Sequence, residues 1–222
     1  MEHNLKTTKF PKYLIFIIIG AAFVVGLYYF GRHQNTNPIK SFIPSPTSNL
    51  QTATPSPSST NSLAFPVNDF KARITKKPFG IYITPATSPV QSEKFTGYHT
   101  EVDVEYGDVT TDVPVYALAQ GTIVYSNWVS GYGGVFMIEI QLNGAPHTVL
   151  YGHIRPSSLP KIGQKVTRGE QLAVLGTGYS TETDGERRHL HFAVLSDNRL
   201  DIKGYVQNQS QLSGWLDPLS LY

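Results

Sequence analysis

From Leu63 to Tyr222 the chain is a succession of short β-rich runs broken by Gly, Pro, Asn and Asp, with almost no helical periodicity. That pattern limits the fold more than any other feature. Strands are expected at Gly80 to Ile83, Thr100 to Tyr106, Pro114 to Ala119, Gly121 to Tyr125, Val135 to Leu142, Thr148 to His153, Gln171 to Leu175 and Leu190 to Leu195. Joined by turns such as Gly131-Tyr132-Gly133-Gly134 and Asn143-Gly144, strands at this spacing predict an all-β sandwich or barrel. A single domain over 63–222 is long enough to bury its own core.

The N-terminal part is of another kind. Tyr13 to Phe30, YLIFIIIGAAFVVGLYYF, carries no charge and as a helix would extend roughly 27 Å, close to the hydrocarbon thickness of a bilayer. Three lysines, Lys6, Lys9 and Lys12, precede it, and only Arg32 and Lys40 follow closely, so the positive-inside rule places the N-terminus in the cytoplasm. The chain therefore divides into a cytoplasmic tail (1–12), a transmembrane helix (13–31), a linker (32–62) and an extracytoplasmic domain (63–222). A cleaved signal peptide is the competing reading, but the apolar run is long for one and no small-x-small site follows it. The linker is rich in Pro, Ser, Thr and Asn, cannot bury enough surface to order itself, and acts as a tether.

Composition narrows the chemistry. The chain has 18 Lys and Arg against 16 Asp and Glu, with the positive excess gathered in the first 62 residues, so no nucleic-acid-binding field is suggested. Cysteine is absent, which excludes disulfides, thiolate metal sites, a cysteine nucleophile and a lipoprotein-type anchor. Any metal must be held by His, Asp or Glu.

Three short segments carry candidate residues. In GYHTEVDVEYGD, strand alternation puts His99, Glu101, Asp103 and Glu105 on one face and Thr100, Val102, Val104 and Tyr106 on the other. Taken alone, this is also the pattern of a solvated polar face. In RRHLHFAVL, His189 and His191 share one face of a strand whose other side carries Leu190 and Phe192, and a metal or proton relay gives two adjacent imidazoles a reason to be there. In HTVLYGHIRP, His153 follows an apolar strand and a glycine, where a lone histidine is ordinarily structural, as His147 on the same strand is expected to be. His3 and His33 flank the apolar span. A catalytic zinc site uses three protein ligands plus water, and His99, Asp103 and His191 supply such a set. His153 and His189 then remain as proton-handling groups, and the helix-borne His-Glu-x-x-His of common zinc proteases is missing.

His-x-x-x-Asp, Tyr-Gly-His and His-Leu-His-Phe, in that order, resemble the lysostaphin-like or LytM-type metallopeptidases. PVYALAQGTIVYS, GYGGVFMIEI, KIGQKVTRGEQLAVLGTGYS and HLHFAVL extend the likeness over about residues 78 to 218. The resemblance implies the duplicated hybrid motif, an antiparallel β-sandwich with a narrow metal-holding groove. It implies Zn2+ on His99, Asp103 and His191, catalytic histidines at His153 and His189, and hydrolysis of peptide bridges or stems in peptidoglycan by a metal-activated water.

Two departures stand out. Glu101 occupies the place of a family glycine, which brings an extra carboxylate near the ligands. Ser180 to Arg188 is longer and more charged than the usual turn; Arg187 and Arg188 could meet an acidic stem peptide, though a solvated loop is the plainer expectation. Two other functions compete: a catalytically inactive wall-binding regulator of another hydrolase, and a biotinyl or lipoyl carrier. Inactive relatives typically lose ligands, and all five positions are filled. A carrier needs a Met-Lys-Met tip, and the only methionines are Met1 and Met137.

Overall fold

The structure, a computed structural model, describes residues 62–222. The cytoplasmic tail, the transmembrane helix and all but the last residue of the tether lie outside the described residues. Among those described, no helix is long and apolar enough to cross a membrane.

Twelve strands form along the described chain: β1 (Tyr82–Ile83), β2 (Gly97–His99), β3 (Val102–Glu105), β4 (Pro114–Tyr116), β5 (Gly121–Val129) and β6 (Gly133–Leu142). They continue with β7 (Ala145–Ile154), β8 (Lys165–Val166), β9 (Gln171–Val174), β10 (His189–Leu195), β11 (Tyr205–Val206) and β12 (Trp215–Leu216). Every pairing is antiparallel, as an all-β chain with short connections requires. The largest sheet runs β12-β10-β7-β6-β5-β8, with β3 also on β10. β3 pairs with the first half of β10 and β12 with its end, so the two lie in succession along one edge of that strand. Beside this sheet stand a three-stranded sheet, β1-β2-β11, and the β4-β9 pair.

The long hairpin β6-β7 is set locally by Asn143-Gly144, both at positive φ (51° and 81°), the two-residue turn whose twist matches that of the flanking strands. Its strands are apolar on both faces because both are covered. Phe136 and Ile138 face a core shared with Val115 of β4, Ala173 of β9, Val104 and Phe192. Val135 and Met137 face a second cluster with Leu150, Leu195, Val206 of β11 and Trp215 of β12. Burying a Phe or Ile in either cluster contributes about 1.5–3 kcal/mol.

The alternation read continuously from His99 to Tyr106 is broken at Thr100 and Glu101. His99 ends β2 in the small sheet, paired with Tyr205, and β3 begins at Val102 in the large sheet. At the corner between them the Thr100 backbone N–H donates to Gly204 O at 3.1 Å and its hydroxyl to Lys203 O at 2.6 Å. These bonds turn the chain from one sheet into the other. Period-two reasoning over a continuous strand had no means of detecting this, because the acceptors lie about a hundred residues downstream.

Candidate functional site

Antiparallel register assembles the site. Across β3 and β10, Asp103 stands opposite His191 and Glu105 opposite His189, while on the other side of β10 His191 stands opposite Gly152 of β7. Gly152 is required by proximity: a Cβ there would lie 2.8 Å from the Tyr132 ring and 3.1 Å from His191 Cβ. The next residue, His153, has φ of 59° at a register shift between β6 and β7. A non-glycine residue held in the left-handed region costs on the order of 1–3 kcal/mol, and the bulge re-aims the imidazole across the sheet toward His189. The two ring centroids are 4.2 Å apart. The corner after β2 brings His99 to the same place, its ring 5.3 Å from that of His191.

All five sequence-predicted residues therefore converge, and none is more than 6 % exposed. This disposes of the solvated polar face as a reading of His99 to Glu105. Asp103 Oδ1 is 2.7 Å from His191 Nδ1, 3.6 Å from His99 Nε2 and 3.5 Å from His189 Nε2. Two backbone carbonyls fix two of the rings: His99 Nδ1 lies 3.3 Å from Pro78 O and His189 Nδ1 lies 2.9 Å from Arg187 O. With their protons on Nδ1, both rings present a lone pair at Nε2, as metal-binding or proton-accepting histidines do. His147, by contrast, holds Leu195 O at 2.8 Å and is structural, as expected.

Two triads have donor atoms within 4.8 Å of one another: His99, Asp103 and His191, and also His153, His189 and His191. The first mixes one carboxylate with two imidazoles. His99 Nε2 is buried without any hydrogen-bond partner. A lone pair in that condition, facing a carboxylate oxygen and a second imidazole nitrogen, suits a divalent ion such as zinc.

Burial and charge set the protonation states. Burial pushes His99 down to about 3 and lowers His189; it also drives His153 well below its ordinary value, with the neighbouring His189 and His191 adding to the effect. For His191 burial acts in the same sense, but the facing Glu101 and Asp103 carboxylates overcome it and raise the group to about 9. Burial would raise Asp103, yet the three surrounding histidines hold it well below the usual carboxylate range.

The charged stretch before His189 is not a solvated loop at its end. Arg187 is buried, its Nη2 2.5 Å from Asp103 Oδ2 and 2.9 Å from Glu105 Oε1, with Nε donating to Glu105 as well. The Arg187 fork thus occupies Oδ2 and leaves Oδ1 to the histidines. Arg188 donates to the carbonyls of Val109 and Thr111. Both arginines are thus engaged within the protein, Arg187 with two carboxylates and Arg188 with two backbone carbonyls.

A cavity of about 350 Å³ opens over the cluster, lined among others by Asp103, Tyr132, His153, His189, His191 and Tyr205. Tyr132 was read from sequence only as part of a glycine turn; an aromatic residue alone among three glycines was the available signal. Its hydroxyl donates to Ile202 O at 2.7 Å. Tyr205 Oη accepts from Lys77 Nζ at 2.9 Å, and Lys77 also pairs with the buried Glu93. No sequence spacing links these three residues.

The model of Peptidase family M23 matches residues 97–202. Endolysin 2638A of Staphylococcus phage 2638A is 33% identical over 113 residues, which are 50% of this chain and 22% of that protein. The chain thus matches about a fifth of the length of that curated relative. Among solved structures, the crystal structure of the SpoIIIAH and SpoIIQ complex contains a chain with a TM-score of 0.48 and 21% identity, covering 72% of this chain and 99% of that one. The structure of LytU gives a TM-score of 0.42 at 25% identity, covering 66% of this chain and 81% of that one.

Proposed function

The chain belongs to the LytM-type peptidases of family M23 through residues 97–202, and on that premise we propose that it is a membrane-anchored zinc endopeptidase acting on the peptide part of peptidoglycan. The observation that carries the reading is the buried convergence of His99, Asp103 and His191 donor atoms beside two further imidazoles on a cavity floor. His99, Asp103 and His191 would hold the ion, since they provide three N and O donors with no thiolate. Bound there, zinc would lower the pKa of a water toward neutrality and polarise the scissile carbonyl.

The remaining chemistry falls to the protein. His153 and His189 are catalytic in this proposal. Their lowered pKa values keep both rings neutral near pH 7, so each can accept a proton. His189 is committed at Nδ1 to Arg187 O, so it works through Nε2. His153 Nδ1 is buried with no partner and is open to a proton or to an oxyanion once charged. A cavity of about 350 Å³ has room for a short peptide segment.

Peptidoglycan as substrate is supported by the family and by a relative whose name is endolysin. Anchoring through residues 13–31, with the N-terminus inside, is supported by the uncharged run Tyr13 to Phe30 and its basic flank. The test is to measure zinc stoichiometry in the full-length chain and to digest purified cell-wall material with it, identifying new peptide ends by mass spectrometry. One zinc per chain and new ends are expected. A chain that binds the wall without zinc and releases nothing would instead be the inactive regulator.

A further inference from the structure

Glu101 is a fully buried carboxylate at the site that belongs to neither donor triad. It does not line the cavity either. Its Oε2 lies 2.5 Å from His191 Nε2, on the opposite edge of the ring from Nδ1, which faces Asp103. The contact is an ion pair rather than a linear hydrogen bond, and Oε2 has no other polar partner. Tyr132 Oη stands 3.4 Å from both Glu101 Oε1 and His191 Nε2, but is turned to Ile202 O. The Gly204 backbone closes the remaining side, since a Cβ there would come within 3.2 Å of His191 Nε2 and 3.1 Å of Tyr132 Oη. His191 Nε2 thus faces the buried Glu101 carboxylate, with Tyr132 and Gly204 beside it.

Glu101 is buried and does not line the cavity, so it is not placed to act there as a base or nucleophile, and its nearest charged neighbour is the His191 ring. What remains is control of the ring. A carboxylate oxygen accepts hydrogen bonds, and an imidazole that ligates a metal has one N–H and one lone pair. The ring lies between two carboxylate oxygens, Glu101 Oε2 at Nε2 and Asp103 Oδ1 2.7 Å from Nδ1, and when one nitrogen gives its lone pair to a metal the proton stays on the nitrogen facing the carboxylate outside the donor triads, which is Glu101. We propose that Glu101 is a positioning residue that holds the His191 proton on Nε2 and thereby presents the Nδ1 lone pair to the metal. Arg187 does the matching task for Asp103, tying Oδ2 so that Oδ1 faces the histidines. Carboxylate partners behind a ligating histidine fix its orientation and raise its basicity.

The inference rests on the zinc reading above, and its test separates the two. Metal-free full-length chain, E101A and E101Q are titrated with zinc against a competing chelator, and imidazole nitrogen and proton resonances are recorded for the zinc-loaded forms. E101A is expected to bind zinc about 10–100-fold more weakly. E101Q, whose amide oxygen still accepts but without charge, should lose only several-fold. In the wild type the His191 proton should sit on Nε2 and exchange slowly, and in E101A it should exchange fast, a change that a merely structural carboxylate would not produce. Wild-type zinc affinity with an unchanged His191 resonance in E101A overturns the positioning role and leaves the peptidase reading intact. If E101A does not fold, the same two readouts in E101Q decide: a weaker, faster-exchanging site supports the role, and an unchanged one overturns it. A wild-type chain that takes up no zinc removes the metallopeptidase reading itself, and this inference with it.

Discussion

The two faces of the β3-β10 pair are about equally hidden from solvent and are held by opposite means. On one face Val102, Val104, Leu190 and Phe192 are fully buried and enter the apolar core. On the other, Asp103, His189 and His191 are nearly as buried and are surrounded by Arg187, Glu105, Glu101 and His99. Dispersion and water exclusion stabilise the first face, and neither requires a particular partner. The second persists only while each charge and lone pair meets its complement. Burial therefore does not distinguish core from site here. The clustering of donor atoms does: His99, Asp103, His153, His189 and His191 meet within two overlapping triads against the polar face.

The sharpest way to break this comparison is on the polar face. H191A is expected to lose zinc and hydrolysis together. H189A should retain most of the zinc while hydrolysis falls by about 10²–10⁴-fold, the usual worth of a positioned acid or base. Equal loss of metal in both variants would abolish the division between ligand and proton carrier.

R187M leaves the buried Asp103 without its arginine, and Glu105 with Lys76 alone, and should cost about 3–5 kcal/mol in a urea denaturation experiment. F192A on the apolar face should cost a similar ~3–5 kcal/mol through the cavity it leaves, yet the molecules that remain folded should bind zinc normally. If F192A weakens zinc binding as much as R187M, the faces are not independent.

Acid should act through the polar face. His99 has a folded pKa of about 3 against an ordinary 6.5, so below pH 6.5 the unfolded chain takes up a proton that the folded chain refuses. Stability of the metal-free chain then falls as pH drops from 6.5 toward 3, with His153 and His189 acting in the same sense. His99 alone accounts for about 2 kcal/mol between pH 6.5 and 5, read from the shift in urea midpoint. His191 works oppositely: its contribution is complete below 6.5 and is lost as pH rises through about 9. L190M, a volume-conserving change on the apolar face, should cost less than ~1.5 kcal/mol and leave this pH profile unaltered. A profile that flattens in L190M would tie the acid response to packing.

Much of this was legible in the chain. Each of the eight expected strands overlaps an observed one, while the two- and three-residue strands β2, β8, β11 and β12 went unseen because they are too short to show a period. The five candidate residues meet as expected. Glu101 was noticed as an extra carboxylate, but its position behind His191 was not inferable from the segment that carries it. Arg187 was expected in solvent, since nothing in the local pattern marks one arginine of a charged turn for burial.

Local chemistry explains what the sequence determined by itself. A two-residue turn fixes the β6-β7 hairpin, and the alternation of a single strand puts His189 and His191 on one face whatever lies beyond it. Both depend on residues close together in the chain. The tertiary structure decided the rest. It broke the strand at Thr100, set Arg187 against Asp103, 84 residues away, and enclosed Glu101 beneath His191. Each of these is a bond between distant segments, and its partner is chosen by sheet packing rather than by any period in the sequence.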